Sequence, residues 1–248
     1  MKDQMGREVR LPRRPQRIVS LVPSITEYLL DLGLGEKVVG RTKFCVHPRK
    51  RVAQIPGVGG TKDFKIDRIH NLQPDLIIGN REENVESGIK ELARSYPVWM
   101  SDIESIDQNF EMMQALGDIT GKSDEAQSWI ERVRLNFSKH HCQYSGKVLY
   151  LIWRRPYMVA GKGTFINAVL EYLGFENIVL QKRYPQIDDY ILETLAADKV
   201  FLSSEPFPFK ETHVQEFKKL FPNALTKLVD GEAFSWYGSR LAKVNFDL

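Results

Sequence analysis

The sequence predicts an α/β fold made of two similar lobes joined by a helical segment. Three observations carry that expectation. Short β-branched runs alternate with helix-period runs over residues 17–104 and again over residues 147–229. Between them, residues 105–143 show helical periodicity and no strand signal. The halves also echo each other: residues 66–82 (IDRIHNLQPDLIIGNRE) and 189–205 (DYILETLAADKVFLSSE) share a helix ending in Leu, two spacers, an Asp, a hydrophobic strand and a polar loop.

The elements follow in order. In residues 17–33 (RIVSLVPSITEYLLDLG) a strand with Ile18, Val19, Leu21 and Val22 ends at Pro23, which has no N–H for a ladder. Ser24 is the expected N-cap of the next helix, with Glu27 completing a capping box. A strand over residues 37–40 leads into the polar loop RTKFCVHPRK. Asp63 is expected to cap a helix bearing Ile66, Ile69 and Leu72, and a strand follows at residues 75–79. A helix with Val85, Ile89 and Leu92 and a strand at 96–100 complete the first lobe. In the middle, a helix with Phe110, Met113 and Leu116 breaks at Gly121, and Ser123 caps a second of roughly 18 residues, about 27 Å long. The second lobe predicts a buried strand at 147–153, helices at 164–173 and 187–196, and strands at 198–202 and 225–229. The domain boundaries this implies are 1–104, a helical connector at 105–144, and 145–248.

Composition narrows the function classes. The 248 residues, 42% hydrophobic and 27% charged, suit one large or two small globular domains. With 35 basic against 32 acidic side chains the net charge of +3 is too slight to imply nucleic acid. The run RLPRRPQR at residues 10–17 is short and broken by proline, and reads as a solvated entry segment. No apolar run reaches the roughly 18 residues of a spanning helix. The first 15 residues hold no apolar h-region, so no secretory leader is expected within this chain, which is either cytoplasmic or a mature form. Cys45 and Cys142 are expected as free thiols.

Several groups carry candidate chemistry. Turn-rich loops after the strands fall at the sheet edge where open α/β sheets bind ligands, and two lobes with facing polar and aromatic loops describe a ligand cleft between lobes. Ser24 is expected to be exposed there, without an identifiable base. Cys45 and His47 lie two apart in a loop, candidates for a metal centre but too few to close one. His140, His141 and Cys142 are expected to face solvent. Lys43, Lys62, Arg81, Arg154, Arg155 and Lys162 should border the cleft and suit carboxylates or phosphates. Of Tyr157, Tyr184, Phe207, Phe209, Trp236 and Tyr237, at least half should be exposed to stack on a macrocycle. GVGGTK and GKGT lack the phosphate-loop spacing and are not expected to lead from a strand into a capped helix. Neither Gly-x-Ser-x-Gly nor His-Glu-x-x-His occurs.

The chain also resembles a known family, the helical-backbone (class III) substrate-binding proteins of ABC importers for vitamin B12, haem and iron siderophores. The matching stretches are RIVSLVPSITEYLLDLG, VVGRTKFCVHP, VGGTKDFKIDRIHNLQPDLIIG, VLYLIWRRPYMVAGKGTFINAVLEYLGFENI and RYPQI, which cover nearly the whole chain. The resemblance implies two Rossmann-like α/β lobes joined by a long rigid α-helix, with small closure on binding. It implies a non-catalytic binding protein whose ligand is a corrinoid, haem or ferric siderophore, with no catalytic cofactor. Phe44, Trp153, Tyr157, Met158, Tyr184, Trp236 and Tyr237 fall at expected ligand contacts, and Thr61 and Asn80 stand where B12-binding relatives carry tryptophan. Docking on an ABC permease through one acidic residue per lobe would use Asp67 and, beside Tyr190, Asp188 and Asp189. The implied protein is a periplasmic or membrane-surface monomer. The alternative, suggested by Cys45, His47 and the missing leader, is a cytoplasmic metal- or cofactor-handling enzyme or metallochaperone on the same fold.

Overall fold

The computed structural model describes residues 1–11, 14–246 and 248, so Pro12 and Arg13 of the basic run lie outside the described residues. The chain divides into two compact units. Unit 1 comprises Met1–Asp102, Asp107–Val133 and Tyr237–Ala242; unit 2 comprises Ile103–Ile106, Arg134–Trp236 and Lys243–Leu248.

Unit 1 is built on β1 (Ile18–Ser20), α1 (Pro23–Asp31), β2 (Val38–Arg41), α2 (Arg49–Val52), α3 (Ile66–Asn71), β3 (Leu76–Asn80), α4 (Glu86–Leu92) and β4 (Val98–Ser101). The sheet has the order β2-β1-β3-β4 and every pairing is parallel. Strands buried on both faces need no alternation, which is why β1, β3 and β4 read as apolar runs, each closed by a buried polar residue, Ser20, Asn80 and Ser101. Val19, Leu21, Ile77, Ile89, Val98 and Met100 pack together on one side. β4 is an edge strand, and the N-terminal segment covers it. Gln4 N–H donates to the Met100 carbonyl at 3.2 Å, and Met100 N–H donates to Asp3, which pairs with Arg7 at 2.7 Å.

The helix starts differ from expectation. Val22 is the N-cap of α1, with Pro23 at the first turn and no side-chain cap. Ser24 is inside the helix, and Glu27 turns away to an ion pair with Arg240 at 2.9 Å rather than closing a capping box. Proline lacks an N–H and fits the first helical position, so the helix starts one residue earlier than the serine suggests. Lys65, not Asp63, is the N-cap of α3; the Asp63 carboxylate lies against Gly60, where a Cβ would collide with it.

The middle of the chain forms α5 (Ile106–Thr120) and α6 (Ser123–Ser138). Gly121 breaks them with φ +71°, a conformation that costs glycine nothing. Ser123 is the first residue of α6 and its hydroxyl donates to Asp118 at 2.8 Å.

Unit 2 contains β5 (Lys147–Trp153), β6 (Tyr157–Val159), α7 (Phe165–Leu173), β7 (Glu176–Asn177), β8 (Gln186–Ile187), α8 (Asp189–Thr194), β9 (Lys199–Ser203), α9 (Glu211–Leu220), β10 (Leu225–Val229) and α10 (Gly231–Ser235). Its six-stranded sheet runs β10-β9-β5-β6-β8, with β7 also paired to β5. β10, β9 and β5 are parallel, whereas β6 is antiparallel to β5 and β8 antiparallel to β6. The helix expected over 187–196 shrinks to α8, because Gln186 and Ile187 pair with β6. α7 is capped as its sequence demands: Thr164 accepts the Asn167 N–H, and Gly174 closes the helix at φ +101°. GKGT therefore does run from a strand into a capped helix. Its hydroxyl serves the helix, also donating to the Gly161 carbonyl at 2.8 Å.

Among the described residues no helix is long and apolar enough to cross a membrane. Cys45 and Cys142 are free thiols.

Candidate functional site

In unit 1 the chain turns back on opposite sides of β1 and β3, so the crevice outside their carboxyl ends is the expected ligand position. Four segments meet at that edge: the start of α1, the loop after β2, residues 57–64, and the loop after β3.

The loop after β2 divides its residues by direction. Cys45 is 2% exposed, its thiol held by Thr26 Oγ1 at 3.1 Å and Thr42 Oγ1 at 3.3 Å. Burial pushes the Cys45 pKa up despite these hydrogen bonds, so it stays a protonated thiol. With Cys45 anchored inward, Phe44 is 50% exposed and the Lys43 ammonium lies 5.0 Å from its ring centroid. His47 is half-buried. The Cys-x-His pair thus does not offer two ligands to one surface, and among the described residues no group of three His, Cys, Asp or Glu side chains could hold a metal ion.

The loop after β3 is wired from within. Asn80, expected as a direct contact, is 3% exposed. Its Oδ1 accepts the N–H groups of Glu82 at 2.8 Å and Glu83 at 3.2 Å, and its Nδ2 donates to the Ser101 hydroxyl at 3.0 Å. Arg81 remains exposed and pairs with Asp102 at 2.7 Å. Thr61 is half-buried and Lys62 exposed.

Tyr237 belongs to this unit and does not present a stacking face. It is 5% exposed, and its hydroxyl donates to Glu83 at 3.2 Å with the Ser24 and Ser101 hydroxyls beside it. Burial, reinforced by the Glu83 charge, raises the phenol well above its usual pKa. Ser24 is accordingly 3% exposed, not a free hydroxyl at a strand end. The residues after Tyr237 stay on the unit: Gly238 N–H donates to Asn109 at 2.6 Å, Ser239 to Asp31, and Arg240 to Glu27.

In unit 2 the carboxyl ends of β5, β9 and β10 are joined by their own loops. Phe207 N–H reaches the Ile152 carbonyl at 3.3 Å, and Ser204 N–H the Val229 carbonyl at 3.0 Å. Trp153 is 38% exposed and meets half-buried Phe207 edge to face at 5.7 Å. Tyr184 and Met158 are half-buried. Arg154 is spent on a two-pronged contact with Glu216, both bonds 2.9 Å, and Lys162 pairs with Glu171 at 2.6 Å.

The expectation that at least half of the six aromatics are exposed therefore fails: Tyr157, Phe209, Trp236 and Tyr237 are buried at 7%, 5%, 7% and 5% exposure, and Tyr184 and Phe207 are half-buried. Tyr157 and Phe209 pack on Phe217 of α9, which with Val214, and with Phe221 just past the helix end, joins the unit 2 core. Trp236 is held by its Nε1–H, which donates to Glu205 at 2.9 Å; the Ser235 hydroxyl donates to the same carboxylate at 2.8 Å. Burial and the nearby Glu232 and Asp230 charges raise the Glu205 pKa, and those two donors only partly oppose it. Glu205, Glu83 and Asn84 are the organising residues that sequence reasoning missed. Their one signal was position, immediately after predicted strands.

Asp67 is exposed in the first turn of α3. Asp188 caps α8 by accepting the Ile191 N–H at 2.8 Å, and Asp189 beside it is exposed, next to Tyr190 at 78% exposure.

Comparison with known proteins agrees with this architecture. The chain is 25% identical over 213 residues to an uncharacterized ABC transporter substrate-binding lipoprotein of Bacillus subtilis, covering 80% of this chain and 67% of that protein. It is 24% identical over 195 residues to a vitamin B12-binding protein of Vibrio parahaemolyticus, covering 76% of this chain and 70% of that one. In fold it is similar to the periplasmic vitamin B12-binding protein of Vibrio cholerae, with TM-score 0.81, 18% identity and 94% of each chain covered. It is likewise similar to a periplasmic haem-binding protein of Roseiflexus, with TM-score 0.76, 19% identity, and 92% of this chain and 94% of that one covered. The family model for periplasmic binding proteins matches residues 18–226, from the first residue of β1 into β10 and through both units, and the chain belongs to that family.

Proposed function

We propose that this chain is the non-catalytic solute-binding component of an ABC importer and that its ligand is a metal chelate: a corrinoid, haem or ferric siderophore. One observation carries the choice of ligand. At the carboxyl edge of unit 1 an exposed aromatic face, Phe44, stands under the Lys43 ammonium, with Lys62 and Arg81 on the neighbouring loops of the same edge. An aromatic ring offers a large, stiff contact for a flat ligand, and the cations suit carboxylates or phosphates on its rim. On unit 2 itself, exposed Trp153 and half-buried Phe207 form an apolar surface at the carboxyl ends of its strands. The relatives named for vitamin B12 and haem support the same ligand class. Asp67 on α3 and Asp188 and Asp189 at α8 are exposed acidic groups that suit docking on a permease at a membrane surface, with the protein acting as a periplasmic or membrane-surface monomer.

The test is a visible-absorbance titration of the purified chain with cyanocobalamin, haemin and a ferric hydroxamate. Saturable binding of one of them, weakened roughly fivefold or more in Phe44→Ala, is the expected result. Failure to bind any of the three would overturn the reading.

A further inference from the structure

Asn84 is 7% exposed and touches three segments of unit 1 at once. Its Oδ1 accepts the Asn80 N–H at 2.8 Å, at the head of the loop that carries Arg81. Its Nδ2 donates to the Thr61 carbonyl at 2.9 Å, beside Lys62, and to the Leu21 carbonyl at 3.2 Å, just past β1. One amide orientation alone serves these partners, since the two carbonyls need the donor and the N–H needs the acceptor. The contact is close enough to dictate a neighbour: a Cβ on Gly79 would sit 2.7 Å from Asn84 Oδ1 and 2.6 Å from Met100 Sδ. From the other side of the same loop, Glu83 accepts the Tyr237 hydroxyl.

We propose that Asn84 is the positioning residue of the unit 1 site. It joins the segment bearing Lys62 to the one bearing Arg81, whose guanidinium is already oriented by Asp102, and the Tyr237–Glu83 bond steadies the same loop. This rests on the function proposed above for its consequence, though not for its geometry. Asn84 is itself buried and its amide is used on three backbone groups, so it acts on the site through the segments bearing Lys62 and Arg81. Aspartate at 84 has nearly the same shape and keeps the acceptor for Asn80, but loses the donor that holds Thr61 and Leu21.

The experiment compares the parent chain with Asn84→Asp, Asn84→Ala and Tyr237→Phe. Amide hydrogen exchange is read peptide by peptide without ligand, and affinity for cyanocobalamin, haemin and a ferric hydroxamate is read at two salt concentrations. In Asn84→Asp, exchange should rise together over residues 59–64 and 80–84, roughly tenfold, and stay unchanged in unit 2. Affinity for the bound probe should fall roughly tenfold with a shallower salt dependence, which general destabilisation would not produce. Tyr237→Phe should raise exchange at 80–84 alone, with a smaller loss of affinity. Should Asn84→Ala fail to fold, the isosteric aspartate and Tyr237→Phe carry the test. Exchange rising at 80–84 but not at 59–64 in Asn84→Asp would overturn the proposal, as would unchanged affinity and salt dependence. If the parent binds none of the probes, the ligand reading falls while coupled exchange still upholds the junction.

Discussion

Residues 66–82 in unit 1 and 189–205 in unit 2 build the same piece of structure, α3 with β3 and α8 with β9, and then part company at the strand ends. The shared part has a shared physical device. Asp75 accepts the Arg17 N–H at 2.8 Å and Asp198 accepts the Lys147 N–H at 2.7 Å, so in each unit one aspartate pins the chain entering the neighbouring central strand. The next positions diverge. Gly79 makes room for Asn84, whereas its counterpart Leu202 is a fully buried member of the unit 2 core. Beyond them, unit 1 carries exposed Arg81 above an asparagine-wired turn, while unit 2 carries Glu205, half-buried and bonded to Ser235 and Trp236. The scaffold is thus set by what enters the strand, and the chemistry by the few residues that leave it.

The comparison is broken or sharpened most directly at Gly79 and Leu202. Leu202→Ala empties a packed position and should cost about 2–5 kcal/mol in urea denaturation; a loss below about 1 kcal/mol would mean that the unit 2 core collapses around the gap. Gly79→Ala forces a methyl against Met100 and Asn84, and should cost about 1–3 kcal/mol by the same measurement.

A pH series tests Glu205. Its raised pKa means the folded chain keeps a proton that the unfolded chain has already released, so the stabilising contribution is complete below the ordinary glutamate pKa of about 4.3 and is lost as pH rises through the folded value. Glu205→Gln stays neutral and keeps an acceptor for Ser235 and Trp236. The difference in Tm between variant and parent should therefore grow in the variant's favour from pH 4 to pH 8, and equal differences at both would refute the assignment. The smallest effect, on structure if not on rate, is chemical. Iodoacetamide should label exposed Cys142 in the native chain and spare Cys45, whose thiol is buried and protonated; equal rates would show the loop after β2 opening freely.

Much of the fold was legible because buried parallel strands leave a simple mark. β5 matches its expected span residue for residue, and β1, β3, β9 and β10 lie where their apolar runs stand. The span of α7 was legible to within a residue, but its caps at Thr164 and Gly174 were not, since GKGT was not expected to lead into a capped helix. β6 and β8 escaped because two- and three-residue strands leave too few positions for a period to show. The site was less legible. Phe44 and Trp153 do stand exposed, yet Trp236 and Tyr237, the same residue types in an equally polar loop, are drawn inward by Glu205 and Glu83. Those partners lie 31 and 154 positions away along the chain, beyond any local pattern.

The sequence alone determined the order of the buried parallel strands, the repeat, and the helix break at Gly121, because backbone hydrogen bonding and local sterics depend on near neighbours. Tertiary structure alone decided which polar and aromatic side chains face outward. A carboxylate, a thiol or a phenol goes wherever distant residues satisfy it at least cost, and that balance between burial and hydrogen bonding exists only once the strand ends have come together.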